Sequence, residues 1–136
     1  MEGRRAPFAL DALVYDAIAQ AGRALSAYEV VAALQERHPL APQQAYRIIA
    51  RLEADARIRR VESVNGYRVC NPEEADTPIL VCHGCHSCVT VRDAGTAVLL
   101  AQLALQAGFR MARSFVEGIG KCPECRTGMD PSAHAH

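Results

Sequence analysis

Apolar side chains at Leu10, Leu13, Val14, Ala17, Ile18 and Ala21 recur at the i, i+3, i+4, i+7 spacing of one helical face. Gly22 follows where a helix commonly closes on a left-handed residue. Ser26-Ala27-Tyr28-Glu29 has the form of a capping box, in which a hydroxyl and a carboxylate satisfy free N–H groups. It predicts a second helix with Val30, Ala33 and Leu34 inward, ending before Pro39. Pro42 suits the first turn of a third helix, where its missing N–H costs nothing, and Ala45, Ile48, Ile49 and Leu52 give that helix a buried side. The period then shortens. Ile58 to Val64 and Tyr67 to Val69 read as strands about Asn65-Gly66, the dipeptide of a type I′ turn with positive φ at both positions. Three helices and a hairpin predict a winged helix-turn-helix over residues 1–70, a fold whose third helix enters the DNA major groove.

The pattern changes again at Asn71. Residues 71–78 are polar, acidic and twice broken by Pro, and read as a hinge. Ile79-Leu80-Val81 and Val89-Thr90-Val91 predict two strands, Thr96 to Ala107 an apolar helix stopped by Gly108, and Phe109 to Val116 a third strand. The fold class expected for the whole chain is therefore α+β. The winged helix is followed by a small α/β unit over 79–126 and a tail over 127–136. The helix of that small unit is apolar on more than one side, and a partner subunit is the simplest cover for the surplus.

Composition narrows the class. Half of the 136 residues are hydrophobic and 22% are charged, which argues against disorder. No apolar run approaches the ~20 residues of a membrane span. The segment MEGRRAPFAL lacks a signal core, so a cytoplasmic protein is expected. The formal net charge is zero, but residues 1–70 hold ten Arg against eight acids, while 71–136 hold five basic against seven acidic residues. The first half is thus the mildly basic one.

Two kinds of chemistry stand out. Gln43, Gln44, Tyr46, Arg47 and Arg51 lie on or near the outer face of the third predicted helix. There Arg can donate twice to a guanine edge and Gln can pair with adenine. Arg59, Arg60 and Arg68 are phosphate-contact candidates in the wing. In the second half two C-x-x-C pairs, Cys82/Cys85 and Cys122/Cys125, are 36 residues apart, the pattern of a closed tetrahedral Cys₄ zinc site. Cys85 and Cys88 also form a C-x-x-C. Cys82 with Cys85 is preferred because that pair follows a strand directly and encloses Gly84, leaving Cys88 spare. No Gly-rich phosphate loop or G-x-S-x-G occurs, and four thiolates leave zinc no open position, so no enzyme is expected.

Taken together, Ser26-Ala27-Tyr28-Glu29-Val30, Ala41 to Ile49, Arg60 to Cys70, Gly108-Phe109, Val116-Glu117-Gly118 and the two C-x-x-C pairs resemble the ferric uptake regulator (Fur) family, nearest to its zinc uptake regulator (Zur) branch. The resemblance implies a homodimeric, metal-responsive repressor that binds an inverted-repeat operator in double-stranded DNA, with one structural zinc per subunit. It also implies that Tyr46 and Arg47 read bases, and that a second, regulatory zinc sits at the hinge. For that second site the matching positions are Arg59, Cys70, Ala75 and Thr90, of which only the Cys is a usual ligand. Beside Cys70, the donors available nearby are Glu73, Glu74, Asp76, His83, His86 and Cys88. His134 and His136 lie in the tail. Alternatives from the same residues are a Fur-like regulator without zinc sensing, constitutive or thiol-redox responsive, and a zinc-stapled module that binds no DNA.

Overall fold

The computed structural model describes residues 2–92 and 94–127. Three helices open the chain: α1 (Glu2–Ala21), α2 (Ala27–Leu34) and α3 (Pro42–Ala54). Gly22 closes α1 with φ +68°, a conformation costly for any residue with a Cβ. The capping box of α2 is formed in full. The Glu29 N–H donates to Ser26 Oγ at 3.1 Å, and the Ser26 N–H donates to Glu29 Oε1 at 2.9 Å. Pro42 begins α3, and Gln44 Oε1 accepts the Ala41 N–H at 3.3 Å, the one half of a capping box open to a helix whose N-cap is Ala. Val14, Ile18, Val30, Leu34, Ile48, Ile49 and Leu52 from these helices form one buried core.

The hairpin differs from expectation. Strands β1 (Ile58–Val61) and β2 (Gly66–Val69) pair antiparallel, with Ile58 opposite Val69 and Val61 opposite Gly66. Four residues connect them, and Glu62–Val64 form a 3₁₀ turn rather than a continuing strand. Asn65 alone takes positive φ, at 54°. Gly66 is extended, and its lack of a side chain has another cause. A Cβ there would meet Ala24 Cβ and the Leu25 backbone at 3.2 Å. Leu25 and Tyr67 exchange both backbone hydrogen bonds at 2.9 and 2.7 Å, so the segment between α1 and α2 lies against β2 as a short third rung.

Side chains alternate across this hairpin. Ile58, Tyr67 and Val69 face the helical core. Val61 faces the other way, into a second cluster with Ala24, Ile79 and Val81. Ile79 and Val81 belong to β3 (Ile79–Cys82), the middle of a three-stranded sheet. Its neighbours are β4 (Cys88–Thr90), antiparallel, and β5 (Glu117–Gly120), parallel. The third strand of this unit therefore lies at 117–120 and not at 109–116, because the stretch from Gly108 to Val116 is irregular. Between β4 and β5 comes α4 (Ala94–Gln106), where Val98, Leu99, Leu103 and Leu105 are exposed, in keeping with the expected surplus of apolar surface. The short α5 (Pro123–Arg126) follows β5. Of the tail expected over 127–136 only Thr127 is among the described residues, and His134 and His136 lie outside them. Among the described residues, no helix is long and apolar enough to cross a membrane.

Candidate nucleic-acid interface and metal centre

Helix α3 turns its apolar side to the core, which leaves Gln43, Tyr46 and Arg47 exposed, Tyr46 at 58%. Arg47 makes no hydrogen bond or ion pair with any described residue, so its guanidinium is available. The other expected contacts on this helix are already engaged. Gln44 is half-buried and caps the helix. Arg51 donates to both oxygens of Asp11 on α1, at 2.7 and 3.2 Å, which fixes α3 to α1 rather than offering a charge outward.

The wing arginines divide three ways. Arg60 stands over the Tyr67 ring, donates to its hydroxyl at 3.0 Å and pairs with Glu62 at 3.1 Å. It is partly exposed and stays beside the wing surface. Arg59 is 4% exposed and donates through Nη1 to the carbonyls of Glu74 at 2.8 Å and Thr77 at 2.6 Å. It is a pin between the wing and the hinge, and its expectation as a phosphate contact is withdrawn. Arg68 is half-buried on the same face, with a buried Nη1. Sequence reasoning placed Arg59 on the surface because arginine usually is. The signal against it was Val61 two residues on, an apolar residue on the same face of the strand.

The thiols converge as the spacing predicts. One donor atom from each of Cys82, Cys85, Cys122 and Cys125 lies within 4.8 Å of all the others, and Cys85 Sγ is 3.7 Å from Cys122 Sγ. Zn–S bonds of about 2.3 Å in a tetrahedron put neighbouring sulfurs about 3.8 Å apart, so this donor set fits zinc. The pairing of β3 with β5 builds the site. Cys82 ends β3 opposite Gly120, Cys122 is the N-cap of α5 and Cys125 lies within it. Burial alone would raise the Cys82 thiol, but hydrogen bonds from the backbone N–H groups of Cys122, Cys85 and Gly84 outweigh it and lower it. The neighbouring Cys125 thiol shifts the other way, raised by burial and by hydrogen bonds with Cys82, Cys122 and Cys85. Cys88 stands outside, packed against the cluster of Ala24, Val61, Ile79 and Val81.

The hinge donors do not assemble. Among the described residues no second group of three or more Cys, His, Asp or Glu converges. Cys70 donates to the Ala56 carbonyl at 3.5 Å, and its thiol is raised by burial. Glu74 is paired with Arg92 at 2.9 Å, and Asp76 with Arg113 at 2.6 Å. Glu73 and His83 are exposed. His86 has positive φ and presents its carbonyl to the Ala24 N–H at 3.1 Å. One of the four positions that match the second site holds the Arg59 guanidinium, itself a cation, and these residues do not fit a hinge metal. Sequence reasoning also missed Glu117. Its two oxygens accept the N–H groups of Glu62 at 2.7 Å and Ser63 at 2.8 Å and so tie the wing turn to β5.

A winged helix joined to a small sheet that ends in a four-thiol cluster is an architecture that known proteins share. No family model matches the chain. The zinc uptake regulation proteins of Escherichia coli (strain K12) and Shigella flexneri are each 29% identical over 106 residues, spanning 75% of this chain and 62% of theirs. The crystal structure of holo XcZur superposes with a TM-score of 0.76 at 32% identity, covering 87% of this chain and 84% of that one. A zinc uptake regulator complexed with zinc and DNA gives 0.71 at 26% identity, covering 78% and 73%. The ferric uptake regulator of Francisella tularensis with iron, at 19% identity and a TM-score of 0.63 over 85% and 90%, shares the fold. The chain belongs to the ferric uptake regulator (Fur) family, in its zinc uptake regulator (Zur) branch.

Proposed function

We propose that this protein is a transcriptional repressor, not an enzyme, that binds an inverted-repeat operator as a homodimer and serves zinc homeostasis. The observation that carries the reading is Arg47, exposed and without a partner among the described residues, beside Tyr46 on α3, in a fold shared with a relative complexed with zinc and DNA. Arg47 is placed to donate to a base edge in the major groove, and Tyr46 offers an apolar surface and a hydroxyl beside it. Gln43 is the second base-edge candidate, and Arg60 a phosphate contact from the wing. The reading keeps the winged helix over residues 1–70, the hinge over 71–78 and the dimerisation unit over 79–126. The exposed aliphatic side chains of α4 supply an apolar surface that a second copy would cover.

Zinc bound to Cys82, Cys85, Cys122 and Cys125 supplies a structural cross-link between β3 and the segment after β5 and stabilises a unit with few buried residues. Whether zinc is also the signal turns on the hinge. Arg59 at its centre favours a regulator in which no second zinc is needed for operator binding. Operator titrations across salt concentrations test the DNA reading, since phosphate contacts release counterions and give a steep slope. Zinc analysis with and without a mild chelator tests the rest. The expected result is one tightly held zinc per subunit and operator affinity unchanged by the chelator. A flat salt dependence removes the DNA reading, and a second, labile zinc that controls affinity restores the metal switch.

A further inference from the structure

The four converging thiols differ in how far solvent reaches them. Cys82 is 3% exposed and Cys125 6%, and Cys122 is half-buried, whereas Cys85 is exposed. Cys85 is the open corner of the cluster, its Sγ 3.7 Å from that of Cys122. The sulfurs also differ in what surrounds them. Backbone N–H groups of Cys122, Cys85 and Gly84 donate to Cys82. Cys85 meets a side chain instead, with its Sγ 3.2 Å from Ser87 Oγ. Among the described residues, no other side-chain hydroxyl bonds one of the four sulfurs.

The loop is built to carry Ser87 to this place. The Cys82 N–H donates to the Ser87 carbonyl at 2.9 Å, and Val81 pairs with Cys88 in the β3–β4 ladder. The His86 N–H donates to the Cys82 carbonyl at 2.8 Å, and His86 itself takes φ 65°, a left-handed conformation that turns the chain back toward β3. These bonds fix the backbone that bears the Ser87 hydroxyl. A hydroxyl accepts from a thiol or, after rotating, donates to a thiolate. Zinc ligands are thiolates, so with zinc bound the Ser87 O–H donates to the Cys85 sulfur. Such a bond draws charge from the ligand and orients it. Water can donate to an exposed sulfur as well, but it must first be ordered there, whereas Ser87 is already in place.

We propose that Ser87 is a positioning residue for the structural zinc, holding the Cys85 thiolate, the ligand most open to solvent, against release and against electrophiles. The inference rests on the reading that zinc occupies the four thiols. Attack on a maleimide shows what the hydroxyl restrains. The Cys85 sulfur gives a lone pair to an alkene carbon, and an S–C bond forms. The alkene π pair moves to the neighbouring carbonyl as an enolate, which takes a proton from water. The sulfur becomes a thioether, a far weaker ligand, and its bond to zinc breaks. A sulfur whose lone pair is shared with the Ser87 O–H is slower in the first step. A sulfur held in place also leaves zinc less often.

The test uses the full zinc-loaded chain as parent, Ser87→Ala and Ser87→Thr, with zinc content measured first. In competition with a chromogenic chelator, Ser87→Ala should hold zinc about tenfold more weakly, the low end for loss of an outer-shell partner. Ser87→Thr keeps the hydroxyl and should return toward the parent. Limiting N-ethylmaleimide with peptide mapping should label Cys85 first among the four ligands, and faster in Ser87→Ala. With cobalt(II) in place of zinc, the sulfur-to-metal charge-transfer band should move to longer wavelength in Ser87→Ala and back in Ser87→Thr. Looser packing alone would not restore the band in one variant and shift it in the other. A parent without zinc overturns the zinc reading and the proposal together. Full zinc in all three proteins, with equal affinity and an unshifted cobalt band, overturns the proposal alone. So does labelling of Cys82 or Cys125 before Cys85. If Ser87→Ala fails to fold, Ser87→Gly supplies the comparison.

Discussion

Arg51 holds Asp11 with two hydrogen bonds, although the two residues lie forty positions apart in the chain. Asp11 is nearly buried, whereas the Arg51 side chain is 48% exposed. The pair is therefore asymmetric. Arg51→Ala leaves a carboxylate without its partner in a half-dry place, at a cost of about 1–3 kcal/mol. Asp11→Ala leaves an arginine that can turn to water and costs less. Chemical denaturation of the two variants checks the order, and the double variant should lie near Asp11→Ala. Equal losses from both would show that the bridge, not the buried acid, sets the stability.

The thiol cluster predicts which cysteines matter to the metal. Cys82→Ser or Cys122→Ser opens a closed site, so zinc content, dimerisation and Tm should fall together. Cys88→Ser should keep the full zinc content, because Cys88 packs against the Ala24, Val61, Ile79 and Val81 cluster and is not one of the four converging thiols. Atomic absorption on the purified variants decides. Zinc retained by Cys82→Ser but lost by Cys88→Ser would reverse the assignment.

On α3, Arg47→Ala should lower affinity for the best inverted repeat by about 1–3 kcal/mol and relax preference at one base per half-site. Arg51→Ala, judged on protein that is still folded, should leave base preference as it was, since Asp11 already occupies that guanidinium. Binding-site selection on both variants gives the comparison. Changed preference in Arg51→Ala alone would move the base-reading role one turn along the helix.

Acid should loosen the wing. Burial pushes Glu117 up, but the hydrogen bonds from Ser63 and Glu62 outweigh it and hold the carboxyl below its ordinary range. Asp76 is held low by hydrogen bonding to Arg113. A depressed folded pKa contributes stability that is complete above the unfolded value and lost as pH falls through the folded one. The loss attributable to Glu117 therefore develops below about pH 4.3, the ordinary Glu value. Glu117→Gln should flatten that acid limb in denaturation curves, with lower stability at neutral pH. A parent and variant with parallel acid limbs would remove Glu117 from the account.

Local signals carried most of the fold. The capping box at Ser26 and the Pro at the start of α3 are each short-range, and each reads correctly because the competing conformations are costly there. The C-x-x-C spacing worked for a related reason, since zinc chemistry leaves few arrangements open. The errors cluster where two distant segments meet. Asn-Gly predicts a turn at Gly66, but the close approach of Ala24 and Leu25 is what excludes a side chain there. Phe109 to Val116 has strand-like composition, yet β3 pairs with the four residues after it. Arg59 and Arg51 were given to DNA because nothing in the sequence shows that the Glu74 and Thr77 carbonyls or the Asp11 carboxylate come within reach.

The hydrogen bond from the Ala24 N–H to the His86 carbonyl gives the molecule a built-in clock. Ala24 lies two residues before the Ser26 cap of α2, while His86 sits in the loop between Cys85 and Cys88. That single amide can exchange with solvent only when the thiol-bearing loop lets go of it. Its deuterium uptake would therefore time the opening of the second half from a probe in the first. Amides deeper in α2, such as Val30, which donates to the Ser26 carbonyl, would keep the slower time of the helical core.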